Sequence, residues 1–358
     1  MLFISSRDVN KKNDGGDMVT NSNYIFFCKL LGSENVEVMN LCLDIRRDLL
    51  SRIANRINQV YGFYRGLTRR KLNYILDTST KYDYIFLETS IYGVIAYFLK
   101  RVKYMGKIIT YFHNVEYNIE RQTAKIRPQG FLKIFVINFN ERMACKYSDT
   151  VIALSKRDSN ELMKHYKAEN IRQIPLSLPD SYGNCAPLNE FTSIPPTLLF
   201  IGSNWYPNIQ GLDWFIRNVL DHVNIKLQIV GSGMDVLKDK FEHSKIEFLG
   251  FVPDLSSVLV EADFVISPIF AGGGMKVKTC ESLMYGKNII GTAEAFSGYD
   301  LDIQQVGAKC ETKEEFIEFL SNQCSIKRRK FNYYCRQVYL DRYSFDAILI
   351  KYKELLLN

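Results

Sequence analysis

Long apolar runs are missing from this 358-residue chain. None approaches the ~18 residues that a membrane-spanning helix needs, and the opening MLFISSRDVNKK turns polar too soon to be the core of a signal peptide. The expected location is therefore cytoplasmic. Histidine is scarce, with 4 in all, and the 8 cysteines form no C-x-x-C pair and have no histidines at zinc-like spacing, so neither a metal site nor a disulfide framework is expected. No repeat or low-complexity tract is present, and no recognised nucleic-acid motif, so nucleic acid is not an expected partner. What remains is a globular composition, 47% hydrophobic and 24% charged, in a chain long enough for two ordinary domains.

The net charge of +7 is concentrated rather than diffuse. Between Arg46 and Lys71 stand eight basic residues (Arg46, Arg47, Arg52, Arg56, Arg65, Arg69, Arg70 and Lys71) against the single acid Asp48, a surplus equal to that of the whole chain. Leu49, Leu50, Ile53, Ile57, Val60, Tyr61, Phe63, Tyr64 and Leu67 are interleaved with them. Two readings fit this mixture. One is a basic amphipathic helix lying on an anionic membrane surface, which would make the protein peripheral on the inner face of the membrane. The other is an ordinary amphipathic helix with its basic side in water.

Along the first half, strand-like and helix-like segments alternate, which predicts a parallel sheet with helices on both faces. Strands are expected at 2–5, 36–41, 84–87, 107–112, 149–155 and 171–174, with helices at 20–31, up to 75, from 92, at 131–147 and at 156–166. Gly15 and Gly16 lie in the polar loop after the first strand, and His113 at the end of the fourth. In open parallel sheets ligands bind beyond the carboxyl ends of strands, so His113 is a candidate site residue as well as a plausible structural donor.

Residues 175–196, rich in Pro, Ser and Asn, read as a linker. A second series follows, with strands at 197–201, 225–230, 246–249 and 264–269 and glycines after each. Pro207 signals a helix start, and Asp254 is placed to cap a helix over 255–262. The series leads to SPIFAGGGMKVKTCESLMYGKNIIG (267–291). There a strand runs into Gly272, Gly273 and Gly274, and then into a helix carrying Lys276, Lys278 and Glu281. Glycines let backbone N–H groups approach a ligand, and the first turn of a helix offers unpaired donors. Two lysines at a helix N-terminus are unfavourable for the dipole unless something negative sits between them, and a diphosphate would fit. The plainer alternative is a glycine loop with two solvated lysines.

The second half resembles the donor-nucleotide domain of the retaining GT-B glycosyltransferases of the group 1 (family 4) class. The matching stretches are FIGSNWYPNIQGLDWF (200–215), LQIVGSG (227–233), IEFLGFVPDL (246–255), ADFVISP (262–268) and KVKTCESLMYGKNIIG (276–291). In the first half FHNVE (112–116) and ERMACKYSDTVIALSKRD (141–158) look like that family's acceptor domain. The resemblance implies an α/β chain of the GT-B type, two Rossmann-like domains facing each other across a cleft. Residues 1–177 would bind the acceptor and 178–343 the donor, with a last helix at about 344–358 packing back on the first domain.

The implied activity is transfer of a sugar from a UDP- or GDP-linked donor, with retention, to a glycan or polyprenyl-diphosphate-linked acceptor in surface polysaccharide biosynthesis. No cofactor and no metal are implied, since no D-x-D pair follows a strand end. Glu281 would take hydrogen bonds from ribose hydroxyls. His113 would lie near the sugar, and the Gly15–Gly16 loop would approach the phosphates or sugar. Gly202 and Ser203 occupy the first strand-helix loop of the donor domain, where the usual arginine and lysine are absent. Lys276 and Lys278 would then neutralise the phosphates, helped by the N–H groups of Gly273, Gly274 and Met275. A second departure is Gly273 itself, which stands where the family's paired-glutamate motif has its first carboxylate. Backbone groups of the glycine run would replace that side chain. The alternative is a non-catalytic homologue that binds nucleotide-sugar or a partner transferase.

Overall fold

A computed structural model describes residues 1–42, 49–124, 131–183, 190–324 and 326–357. The chain forms two compact units, one made of residues 1–11 and 20–175 and the other of 12–19 and 176–358.

In the first unit six strands, β1 (Leu2–Ser5), β2 (Glu37–Asn40), β3 (Tyr84–Leu87), β4 (Lys107–Phe112), β5 (Thr150–Ala153) and β6 (Ile171–Gln173), form one sheet in the order β2-β1-β3-β4-β5-β6. Every pairing is parallel. Parallel strands are covered by helices on both faces, which is why FI, IFL, II and VI run without polar interruption in β1, β3, β4 and β5, and why these residues are fully buried. The helices Gly93–Arg101 and Phe131–Tyr147 touch backbone to backbone at Gly93. A Cβ there would fall 1.9 Å from the Asn140 carbonyl oxygen. Asn140, fully buried on the longer helix, accepts from Val94 N at 3.0 Å and donates to the Gly62 carbonyl at 2.8 Å.

The second unit repeats the plan with β7 (Thr197–Ile201), β8 (Lys226–Val230), β9 (Ile246–Gly250), β10 (Phe264–Ser267), β11 (Asn288–Gly291) and β12 (Gly307–Lys309) in the order β12-β11-β10-β7-β8-β9. Here too all neighbours are parallel. Counted from its own first strand, this is the doubly wound order 3-2-1-4-5-6, with its reversal between β7 and β10. Two close approaches fix that point. A Cβ on Gly211 would meet the Pro268 carbonyl oxygen at 1.9 Å, and one on Gly231 would meet the Gly202 carbonyl oxygen at 2.0 Å.

Strands β1 to β10 follow the sequence expectation with local differences, whereas β11 and β12 were not anticipated. The first helix spans Gly15–Leu31, so the glycine pair opens the helix rather than preceding it. β10 stops at Ser267 because Pro268 has no N–H for a ladder. The helix begun near Pro207 ends at Asn218 and continues as a short 3-10 turn, Leu220–His222. Asp254 accepts from Ser256 N at 2.9 Å at the start of the Ser256–Glu261 helix. The linker is stitched to the second unit. Arg336 grips Asp180 with two bonds of 2.9 and 2.6 Å, and Tyr339 donates to the Leu178 carbonyl at 2.9 Å. The last helix, Phe345–Leu357, is counted in this unit.

Candidate functional site

The chemistry-bearing residues of the second unit collect at the reversal between β7 and β10, where a doubly wound sheet opens its ligand crevice. β7 ends at Ile201, Gly202 and Ser203 follow it, and beyond them starts the Tyr206–Asn218 helix. β10 ends in the glycine run and the Val277–Met284 helix. Gly272 and Gly274 have φ of 139° and 61°, values that side-chain-bearing residues rarely adopt, and this is what lets the chain turn from strand end to helix start.

Lys276 is buried and Lys278 half-buried. Lys276, which precedes the helix as its N-cap, is 8% exposed, and its ammonium donates to the carbonyls of Gly273 (3.0 Å) and Gly274 (3.3 Å) and to Glu294 Oε1 (2.6 Å). It thereby holds the shape of the glycine run. Lys278, in the first helical turn, donates to Asn208 Oδ1 at 2.9 Å and stands 4.6 Å from the centre of the Phe200 ring. Asn208 is anchored in turn by its own bond to the Ser203 carbonyl at 2.9 Å. Burial lowers the Lys278 pKa to about 7, helped by the charge of Lys276 and opposed by Glu281. Glu281, one turn further on and 5% exposed, is pushed up to about 7 by burial, against the pull of Lys278. Two groups that would be charged in water are thus both shifted toward their neutral forms, as is common at functional sites. Met275 is 6% exposed and its sulfur accepts from Leu176 N at 3.4 Å. Gly15 belongs to the same unit, and a Cβ on it would come within 3.0 Å of Val277 Cγ2. Gly16 follows it in the helix.

In the first unit a second cluster sits at the ends of β3 and β4. His113 Nε2 lies 2.5 Å from Glu88 Oε1, and the same oxygen accepts from Thr20 Oγ1 at 2.7 Å. Glu88 is 1% exposed, while His113 keeps an accessible face and an edge-on contact with Tyr111. A buried carboxylate on one ring nitrogen fixes the orientation of the imidazole. The turn that carries His113 is clamped by Glu141, fully buried on the Phe131–Tyr147 helix. Glu141 accepts from Glu116 N (2.7 Å), Tyr117 N (3.3 Å), Ser90 Oγ (3.2 Å) and Tyr166 OH (2.8 Å). Burial pushes its carboxyl up to about 8.

Glu88, Glu141, Asn208 and Glu294 were not singled out by sequence reasoning. Glu88 had a usable signal, since it lies just beyond the expected strand at 84–87, whereas Glu294 follows a strand the sequence did not reveal. Glu141 and Asn208 lie inside helices among other polar residues and carried none.

Of the basic segment, Arg46 and Arg47 lie outside the described residues, as does the side chain of Arg52. Arg56, Arg65, Arg69 and Arg70 are exposed, and Lys71 donates to the Leu41 carbonyl at 2.8 Å. Beside them Ile57, Val60 and Tyr61 are 54%, 70% and 68% exposed, as are Phe131 (81%) and Phe135 (68%) on the helix against which Leu49–Val60 packs. No helix among the described residues is long and apolar enough to cross a membrane. No group of three or more His, Cys, Asp or Glu among them could hold a metal.

Residues 195–318 match the family model described as Glycosyl transferases group 1, a stretch that lies wholly in the second unit and contains the glycine run, Lys276, Lys278, Glu281 and Glu294. No curated protein matches the chain by sequence. Among solved structures, sucrose-phosphate synthase from Thermosynechococcus elongatus is 13% identical, with 99% of this chain and 97% of that one covered at a TM-score of 0.70. Anabaena HepE, solved with UDP and glucose, is 14% identical, with 100% and 99% covered at 0.68. The lipopolysaccharide outer core galactosyltransferase WaaB is 12% identical, with 99% and 98% covered at 0.61. The chain thus has the GT-B fold, and the match to the group 1 glycosyltransferase model falls within its second unit.

Proposed function

We propose that the protein is a retaining glycosyltransferase that moves a sugar from a nucleoside-diphosphate donor to a glycan or polyprenyl-diphosphate-linked acceptor in surface polysaccharide biosynthesis. The observation that carries this reading is the half-buried Lys278 one turn from the buried Glu281 at the strand reversal of the family-matched unit, next to a glycine run braced by Lys276. Lys278 supplies a cation whose charge is restored when a diphosphate enters, because the anion offsets the burial that lowers its pKa. Glu281 takes the ribose hydroxyls as an ionised acceptor. Lys276 acts one step back, by fixing the carbonyls of Gly273 and Gly274 and so the direction of the run. The N–H groups of Gly273, Gly274 and Met275 complete the diphosphate end.

The departing diphosphate takes the proton of the attacking hydroxyl, and the protein contributes positioning and charge stabilisation rather than a nucleophile. His113, oriented by Glu88, serves the transferred sugar, and the first unit takes the acceptor. The exposed aromatics Tyr61, Phe131 and Phe135, together with the exposed Arg56, Arg65, Arg69 and Arg70 of the same unit, suit an anionic membrane surface on which a lipid-linked acceptor would be presented. HepE, solved with UDP-glucose, and the galactosyltransferase WaaB support the donor class and the reaction type.

The test is transfer from UDP- and GDP-hexoses to lipid-linked glycan, with the anomeric configuration of the product read by proton NMR, in detergent and on vesicles with and without anionic lipid. The account predicts retention, loss of transfer in Glu281→Ala, and faster transfer on anionic vesicles at low salt. Donor binding without any transfer would favour the non-catalytic alternative instead.

A further inference from the structure

The glycine run has no carboxylate of its own, yet one is held against it from another part of the same unit. Glu294 lies in the turn after β11, and this turn is bound to the start of the Val277–Met284 helix at three points. Thr279 Oγ1 donates to the Ala295 carbonyl at 2.7 Å, Tyr299 OH to the Lys276 carbonyl at 2.7 Å, and Lys276 Nζ to Glu294 Oε1 at 2.6 Å. Glycines place no side chain in between. A Cβ on Gly272 would stand 3.6 Å from both Glu294 Oε1 and Lys276 Nζ, with nothing nearer. The Lys276 side chain keeps 9% of its exposure and that of Glu294 18%.

A carboxylate braced by a buried ammonium, beside a backbone stripped of side chains, is a pre-organised acceptor for hydroxyl donors. The ion pair fixes its orientation, so little ordering cost remains when a hydroxyl binds. We propose that Glu294 reads the hydroxyls of the sugar carried by the nucleoside-diphosphate donor, with Lys276 as its positioning partner, and so supplies the carboxylate that position 273 does not. This rests on the donor-site reading given above.

Calorimetric titration of the full chain with UDP, GDP, dTDP and ADP, and with their hexose conjugates, separates the two claims. The Glu294→Gln variant keeps a carbonyl that can accept from Lys276, and its folding is checked by thermal unfolding. Glu294→Asp, which keeps the charge but shortens the reach, carries the test if Glu294→Gln does not fold. The expected result for the nucleotide that binds is a diphosphate Kd within about twofold of the wild type. The ratio of nucleotide-sugar to diphosphate Kd should shift about tenfold against the sugar, the equivalent of one charge-assisted hydrogen bond. Equal loss of both ligands would make Glu294 a structural brace and overturn the proposal. So would a tighter diphosphate Kd with an unchanged ratio, which would make it only a counterion for Lys276. Failure of every diphosphate to bind the wild-type chain would remove the donor site and this proposal together.

Discussion

Lys278 and Glu281 stand one helical turn apart, each shifted by burial toward the neutral form and each partly rescued by the other. Such a pair costs stability when no ligand is bound, and the sign of that cost with pH can be worked out. The lysine pKa is lowered from 10.5 to about 7 on folding, so its contribution to stability is lost as pH falls through the range between those values. The glutamate pKa is raised from 4.5 to about 7, so its contribution is lost as pH rises over that range. At pH 6 Glu281 is largely protonated and has little need of the lysine, whereas the Lys278 ammonium is largely charged. Lys278→Met is therefore expected to raise the Tm at pH 6 and to raise it less, or lower it, at pH 8.5, while weakening diphosphate binding at both. Thermal unfolding at the two pH values checks this. A variant less stable than wild type at pH 6 would show that the ammonium is not strained by burial.

At the scale of elements, the site depends on backbone approaches that leave no room for a methyl group. The Tyr206–Asn218 helix lies so close to the segment after β10 that a Cβ on Gly211 would fall 1.9 Å from the Pro268 carbonyl oxygen. Backbone cannot yield as a flexible side chain would. Gly211→Ala should destabilise the chain by about 2 to 3 kcal/mol, in the range of overpacked cores. In urea titration the midpoint should drop with little change in the slope m. Loss of donor binding should follow, because the helix that is pushed away carries Asn208, the partner of Lys278. An unchanged midpoint would mean that the two elements separate freely.

Elements of this kind are also where the sequence was most readable. β3, β4, β7, and the helices Phe131–Tyr147 and Lys156–Tyr166 run between the residues their patterns predict, because continuous apolar strands and capped helices are locally determined. The end of Lys156–Tyr166 is marked by Lys167 in the left-handed conformation, and its start by Ser155, which accepts from Asp158 N at 3.1 Å. What the patterns could not supply was the partner of each charged group. Lys276 and Lys278 were legible as a pair beside a glycine run, but Glu294 comes from the turn after β11 and Asn208 from a helix 70 residues earlier. Such pairings are fixed by the order of strands in the sheet, and no local spacing encodes them. His113 was legible at its strand end. Its carboxylate, Glu88, follows a different strand and becomes its neighbour only because β3 and β4 are adjacent.

Over the whole molecule, two Rossmann-like units each gather their titratable residues at strand ends, and the central claim concerns the second: that it binds a nucleoside diphosphate at the glycine run. The most direct measurement is thermal unfolding of the intact chain with a panel of nucleoside diphosphates and nucleotide-sugars, without and then with divalent metal, using Glu281→Ala as control. Ligand at 100 times its Kd should add about 2.7 kcal/mol to stability. The account predicts a selective rise in Tm with the diphosphates of one base, present without metal and abolished in the variant. No rise with any of them, or a rise that Glu281→Ala leaves intact, would contradict it.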